Sequence, residues 1–279
     1  MRVKLANAIG FCMGVQRAVN ITLKAADKGE SKIYTYGPLI HNPQVIELLK
    51  KKGIEIISDL RRLPSGIVVI RAHGISPQEK REIQKTGVRI LDATCPRVKR
   101  VQKIIKQYAT QGFSTLIVGD KEHAEVIGLL GFSQGKGFVV SSKEDIEELP
   151  PLEKVCVVAQ TTQNEESFNQ IGKRIKERFR KSLIFNTICD STQKRQEETL
   201  DLARKVEGMV VVGGKNSGNT LRLVKLSEST GTPTFFIENE DELDMDRLKP
   251  LSTIGVVGGT STPLWILERV VKRIEEASE

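Results

Sequence analysis

No apolar stretch in this chain of 279 residues approaches the roughly 20 consecutive residues that a membrane-crossing helix requires. Membrane insertion is therefore not expected. Aromatics are scarce, at 5% of the residues with one tryptophan. They are not interleaved with basic residues as a single-stranded nucleic-acid platform requires, so nucleic acid is not an expected partner. Only three histidines and four cysteines occur. No two cysteines form a Cys-x-x-Cys pair, which argues against a structural zinc clip and against the clustered ligands of ferredoxin-type electron carriers. The first strand-like segment, Arg2–Ala6, arrives at once, followed by the loop of Cys12. No secretory or transit segment is expected, and the chain reads as soluble and cytoplasmic. Thiols stay reduced in that compartment, so the cysteines read as ligands, nucleophiles or core residues rather than bridges.

Acidic residues are the minority charge, 35 against 43 basic, leaving a net charge of +8. Much of the excess lies on amphipathic helical stretches, for example Lys99, Arg100, Lys103 and Lys106. A solvated helix face accounts for such a pattern. A small anionic substrate or an acidic electron-carrier protein also suits it. With 39% hydrophobic residues the chain has enough apolar side chain for a substantial core.

What the chain does have is a repeat. Cys12, Cys95 and Cys189 each sit just past a short strand and each begins the same succession of elements. A helix comes first: from Gly14 to Ala26, Arg97 to Gln111, and Gln193 to Val206. A strand follows (Lys32–Tyr36, Ser114–Val118, Met209–Val212), then a loop bearing His41, His123 or Ser217, 28 or 29 residues after its cysteine. Each repeat goes on through a second strand (Ile54–Ile57, Gly137–Val140, Thr234–Ile237) and a polar connector. An apolar third strand comes next (Ile67–Ile70, Val155–Val158, Ile254–Val257), ending in Ala72-His73-Gly74, Gln160-Thr161-Thr162 or Gly259-Thr260-Ser261. Helices Pro77–Lys85, Glu165–Arg180 and Pro263–Glu276 close the pattern. The third repeat lacks a final strand, which Arg2–Ala6 supplies if the chain closes on itself. Strands alternating with helices at this period predict three α/β domains with small parallel sheets, spanning 13–95, 96–189, and 190–279 with 1–12.

Cys156 lies between valines in a strand and reads as a buried thiol. The other three sit at strand-to-helix junctions, where a helix N-terminus favours the thiolate. One thiol from each of three repeats can converge on one metal centre. An iron–sulfur cubane held by three thiolates keeps one iron without a protein ligand, and that iron is a Lewis acid. A catalytic cluster is thus favoured over a structural one.

His41, His73 and His123 all fall in loops after strands, where α/β sheets bind ligands. Ser217, Asn219 and Ser261 hold the matching places in the third repeat. Imidazoles, hydroxyls, amides and backbone N–H groups together suit a phosphate or diphosphate. Gly213-Gly214-Lys215-Asn216-Ser217 is not a P-loop, because Met209 replaces its first glycine and Asn216 follows the lysine. Glu125, two residues after His123, is placed to protonate a leaving hydroxyl; it equally suits a helix-first-turn acid. Gln160-Thr161-Thr162 offers hydroxyls to relay protons or hold an alcohol, or to cap the following helix.

Taken in order, Gly-Phe-Cys-x-Gly-Val (10–15), Ile-His-Asn (40–42), Ala-His-Gly (72–74), Asp-Ala-Thr-Cys-Pro (92–96), His-x-Glu-Val (123–126), Gln-Thr-Thr (160–162), Ile-Cys-x-x-Thr (188–192), Lys-Asn-Ser-x-Asn (215–219) and Ser261-x-Pro263 closely resemble the 4-hydroxy-3-methylbut-2-enyl diphosphate reductase (IspH/LytB) family. The resemblance covers nearly the whole chain. It implies a trefoil of three α/β domains around one central [4Fe–4S] cluster per chain, held by Cys12, Cys95 and Cys189, with one iron lacking a protein ligand. It implies that His41, His73, His123, Ser217, Gly218, Asn219 and Ser261 bind the diphosphate, with Gly218 offering only its backbone where some members carry serine. It makes Glu125 the proton donor, with His123 and Thr161 beside the reacting hydroxyl. Reduction to isopentenyl and dimethylallyl diphosphate, the last step of the methylerythritol phosphate route, needs an electron donor of ferredoxin or flavodoxin type. Two other classes fit parts of the pattern: a quinolinate-synthase-like dehydratase, disfavoured by its different loop residues, and a non-catalytic metal-binding module, which would be colourless with bound zinc.

Overall fold

The structure is a computed structural model and describes residues 1–29, 31–59 and 65–277. Three four-stranded, wholly parallel sheets carry the chain. One contains β2 (Ile33–Tyr36), β3 (Glu55–Ile57), β4 (Ile67–Ile70) and β5 (Arg89–Asp92), in the order β3-β2-β4-β5. The next contains β6 (Ser114–Val118), β7 (Gly137–Val140), β8 (Lys154–Ala159) and β9 (Lys181–Phe185), in the order β7-β6-β8-β9. The last contains β10 (Gly208–Val212), β11 (Thr234–Ile237) and β12 (Thr253–Gly258), and its fourth place is taken by β1 (Arg2–Leu5), in the order β11-β10-β12-β1. All three sheets thus share one strand order. The strand that the third repeat lacks does come from the start of the chain: Val3 pairs with Ile254 and Leu5 with Val256. The polar connector of the first repeat, at residues 60–64, lies outside the described residues.

The chain divides into two compact units. One comprises Met1–Val15, His41–Glu47 and Asp190–Glu279 and holds the sheet of β1; the other comprises Gln16–Ile40 and Leu48–Cys189 and holds the other two sheets. The two inner strands of each sheet are almost wholly buried while the edge strands β1, β3, β5 and β9 are partly exposed, and the sheet of β6 shows how the two faces are used. Leu116, Val118, Val155 and Val157 point to one side, against Phe168, Ile171 and Ile175 of α7 (Glu165–Arg178). Ile117, Cys156 and Val158 point to the other, against Val98, Val101 and Ile105 of α4 (Pro96–Thr110) and Val126 and Leu129 of α5 (Ala124–Leu130). Period-two alternation with both faces apolar produces this layering, as in parallel sheets generally. In the sheet of β10 the same logic sets Val210 and Val256 against α11 (Leu264–Glu276), while Met209 and Val211 pack on α8 (Asp190–Ala203) and α9 (Gly218–Glu228).

Helix boundaries follow local chemistry. Ser76 and Glu79 form a reciprocal capping box at the start of α3 (Pro77–Lys85). Asn164 caps α7 by accepting from the Ser167 amide, so that task does not fall to Thr161 or Thr162. The helix expected from Gln193 begins three residues earlier, at Asp190. Its first turn is drawn in by packing, since Thr192 is buried. Among the described residues, no helix is long and apolar enough to cross a membrane.

Cys156 is fully buried, and burial pushes its thiol up to about 12. Unfolded thiol ionises near pH 9, so between these values the unfolded chain has already lost a proton that the folded chain retains. Stability should therefore fall as pH rises from about 9 to 12, by at most roughly tenfold in the folding equilibrium per pH unit. Cys156→Ala, followed by denaturant titration across that range, should flatten this slope relative to the parent chain. A maleimide should label Cys156 only after unfolding.

Candidate active site

Within the larger unit, β5, β6, β8 and β9 end in loops that carry Cys95, His123, Thr161 and Cys189. Cys95 is the N-cap of α4, with Pro96 at its first helical position. Burial raises the Cys95 thiol above its ordinary value; the amides of Arg97 and Val98 draw it back, and Cys189 and Glu125 push it up again. That mutual influence places two thiols and one carboxylate in a single neighbourhood. Both thiols are partly exposed, whereas Cys156 is buried, and none of the three is in a disulfide.

Glu125 lies in the first turn of α5 and is only 2% exposed. Its Oε1 accepts the Thr161 amide at 2.6 Å and its Oε2 accepts the Thr161 hydroxyl at 2.7 Å. A buried carboxylate is costly without such donors. Thr161 in turn supplies the carbonyl that receives the Cys189 amide at 2.9 Å. One threonine therefore fixes the acid on one side and a thiol-bearing loop on the other. The first-turn reading of Glu125 holds, and the same residue is buried in the neighbourhood of Cys95.

His123 caps α5, its Nδ1 accepting the Glu125 amide at 3.2 Å. An acceptor at Nδ1 carries no proton there, so the neutral ring bears its hydrogen on Nε2. His73 meets this ring edge to face, with centroids 5.4 Å apart.

In the smaller unit, Cys12 follows Gly10, whose φ of +71° suits glycine. The Cys12 amide donates to Thr260 at 3.0 Å. The Cys95 amide likewise donates to Ala72 at 3.0 Å. Thr260, Ala72 and Thr161 are matching residues in the loops after β12, β4 and β8. The three thiols are thus anchored by the same hydrogen bond in three repeats.

Ser217 caps α9 and accepts the Thr220 amide at 3.3 Å, which leaves its own hydroxyl hydrogen to donate. Gly218 and Asn219 form the first turn, where backbone amides lack helical partners. Asn219 is 2% exposed, and neither of its side-chain polar atoms has a hydrogen-bond partner among the described residues. A buried amide left unsatisfied retains the capacity to donate to and accept from a polar group. Ser261 donates to the His41 carbonyl at 3.0 Å. Gly214 approaches that carbonyl so closely that a Cβ would stand 2.6 Å from it. Cys12, His41, Ser217, Gly218, Asn219 and Ser261 are thereby assembled in one unit, and His73, Cys95, His123, Glu125, Thr161 and Cys189 in the other.

Two residues escaped the sequence reading. Arg195 of α8 is 5% exposed and donates to the carbonyls of Gly258 (2.7 Å) and Gly10 (2.5 Å), bracing the turn before Cys12. Burial pulls its guanidinium below the ordinary value, and Cys12 and Glu198 counteract this. Arg17 donates to the Thr94 carbonyl, immediately before Cys95. Neither arginine lies in a recognisable motif.

Three parallel α/β sheets of one strand order, each followed by a thiol at the same junction, define a triplicated α/β protein with polar loops. The chain matches the family described as "LytB protein" over residues 3–275, and it belongs to that family. It is 45% identical to a 4-hydroxy-3-methylbut-2-enyl diphosphate reductase of Thermoanaerobacter sp. (strain X514), over 98% of this chain and 96% of the relative. It is 41% identical to the protein of that name from Aquifex aeolicus (strain VF5), over 99% and 96%. A solved structure of (E)-4-hydroxy-3-methyl-but-2-enyl diphosphate reductase, the terminal enzyme of the non-mevalonate pathway, is 41% identical, with a TM-score of 0.72 over 99% of this chain and 100% of that one. The E-1-hydroxy-2-methyl-but-2-enyl-4-diphosphate reductase of Plasmodium falciparum is 28% identical, with a TM-score of 0.92 over 97% and 87%.

The His123 cap separates two roles of that side chain. His123→Asn retains an N-cap acceptor and should leave stability within about 0.5 kcal/mol, whereas His123→Leu should cost about 1 kcal/mol. Chemical denaturation of both variants checks this.

Proposed function

We propose that the chain catalyses the reductive dehydroxylation of (E)-4-hydroxy-3-methylbut-2-enyl diphosphate to isopentenyl diphosphate and dimethylallyl diphosphate, the last step of the methylerythritol phosphate route. The observation that carries this reading is the buried Glu125 carboxylate, bonded twice to Thr161 beside Cys95 and Cys189. The reaction consumes two electrons and two protons: a C–O bond breaks, a C–H bond forms, and the hydroxyl leaves as water.

Each α/β domain, 13–95, 96–189, and 190–279 with 1–12, contributes one ligand to a [4Fe–4S] cluster: Cys95, Cys189 and Cys12. The residues present suit it, being three reduced thiols with identical backbone anchors and, at Cys95, two helix amides favouring the thiolate. When bound, the cluster supplies electrons one at a time and Lewis acidity at the iron without a protein ligand.

The chain's own residues do the rest. Protonated Glu125 donates to Thr161 Oγ1, and Thr161 passes its own hydrogen to the departing hydroxyl; burial keeps bulk water from short-circuiting this relay. His123 offers Nε2–H, because the amide of Glu125 occupies its other nitrogen. The diphosphate takes donors from His41, His73, His123, Ser217, Asn219 and Ser261 and from the Gly218 backbone amide. The orphaned Asn219 amide supports this, since a phosphate oxygen would satisfy it. Anchoring the diphosphate positions the allylic carbon and supplies the proximity contribution. The electrons come from a ferredoxin or flavodoxin type carrier in the cytoplasm.

Glu125→Gln keeps the hydrogen-bonding shape but removes the transferable proton. Turnover of the hydroxylated diphosphate with a chemical reductant should fall by about 100-fold or more, while the brown absorbance of anaerobically purified protein stays unchanged. Unaltered turnover removes Glu125 from the mechanism. A colourless protein with stoichiometric zinc removes the cluster.

A further inference from the structure

The outer faces of α3 and α4 border a cavity of about 460 Å3. Its rim carries five cations, Lys80, Arg81, Lys99, Lys103 and Lys106, against one carboxylate, Asp92. Asp92 is already engaged, at 3.0 Å from Lys99 and 3.5 Å from Lys80. Arg81, Lys103 and Lys106 are exposed and have no ion-pair partner among the described residues. The floor is apolar, formed by Ile70, Ile75 and Phe132. Such a surface is a socket for an acidic, partly apolar partner.

Its position gives it a purpose. Cys95 caps α4, and Lys99, Lys103 and Lys106 follow at four-, eight- and eleven-residue offsets, along one helical face. Thr94, next to Cys95, lies in the cavity wall. At 1.5 Å per residue the basic face extends only about 16 Å along the axis from that thiol. A net charge of +8 strengthens attraction of an acidic body from a distance.

We propose that this basic face is the docking site of the protein that delivers the electrons, an acidic one-electron carrier bearing a flavin or an iron–sulfur group. The inference rests on the reductase reading, because only a reductive reaction requires such a visitor. Each docking oxidises the carrier by one electron. Two dockings supply the pair that, with two protons, converts the C–O bond to C–H and releases water. An extended row of lysines along α4 suits a protein surface better than a single small anion, which would need donors converging on one point.

The test uses cluster-loaded protein and two reductants, a reduced acidic flavodoxin and reduced methyl viologen. The double variant Lys103→Glu/Lys106→Glu should lower kcat/KM for flavodoxin by roughly 10- to 100-fold. Turnover with methyl viologen should remain within about twofold, since neither lysine belongs to the proposed catalytic or diphosphate-binding set. Raising salt from about 50 to 300 mM should erase most of the difference between parent and variant with flavodoxin. Equal losses with both reductants, or no loss with flavodoxin, overturn the proposal. So does a variant that keeps flavodoxin-driven turnover but loses a thermal shift caused by inorganic diphosphate, which would assign the cavity to a small anion. Failure of the parent protein with either reductant instead overturns the reductase reading, and the docking inference with it.

Discussion

The hydrogen bond from each cysteine's own amide to the carbonyl of a neighbouring strand-end loop governs where the reactive groups can stand. It occurs as Cys12 to Thr260, Cys95 to Ala72 and Cys189 to Thr161, within 0.1 Å of the same length. Because the cysteine loop leaves the fourth strand and the acceptor loop leaves the third, adjacent parallel strands set the register of both. A sheet that slipped by one residue would turn every side chain over and carry the thiol away. The apolar strands therefore serve the site as well as the core: their packing on both faces fixes the loops that no hydrophobic contact holds directly.

The repeats keep this frame and differ in what their loops carry. In the larger unit the loops bear His73, His123 and a sequestered acid; in the smaller one the loops after β10 and β12 bear hydroxyls and an amide, beside His41. Thr161 shows how economical the division is. Its carbonyl serves the frame, while its amide and hydroxyl serve Glu125. Any substitution there that spares the backbone but removes the hydroxyl separates scaffold from chemistry. Function in such folds resides in loops displayed by a rigid sheet.

Much of this was legible in the sequence because it is local. Runs such as Ile67–Ile70 and Val155–Val158 announce strands by their branched residues. Counting from each cysteine gave the repeat, and the repeat gave the missing strand at Arg2–Leu5. What escaped depends on partners remote along the chain. Arg195 meets Gly10 across 185 residues and Arg17 meets Thr94 across 77. Neither pairing leaves a spacing that a single sequence can betray. The early start of α8 escaped for a different reason: Asp190, Ser191 and Thr192 prefer caps and turns on their own, and burial of Thr192 overrides that preference.

The seating of β1 against β12 bears on how the molecule is born. Residues Arg2–Leu5 must wait for Thr253–Val256, about 250 positions later in the chain, before their sheet can close, whereas the larger unit is nearly continuous in the chain and free to fold meanwhile. The Cys12 turn takes its final shape only when Thr260 arrives to receive its amide. Any group that needs all three thiols in place would therefore have to wait for Thr260, although the last of those thiols, Cys189, is made about 70 residues earlier.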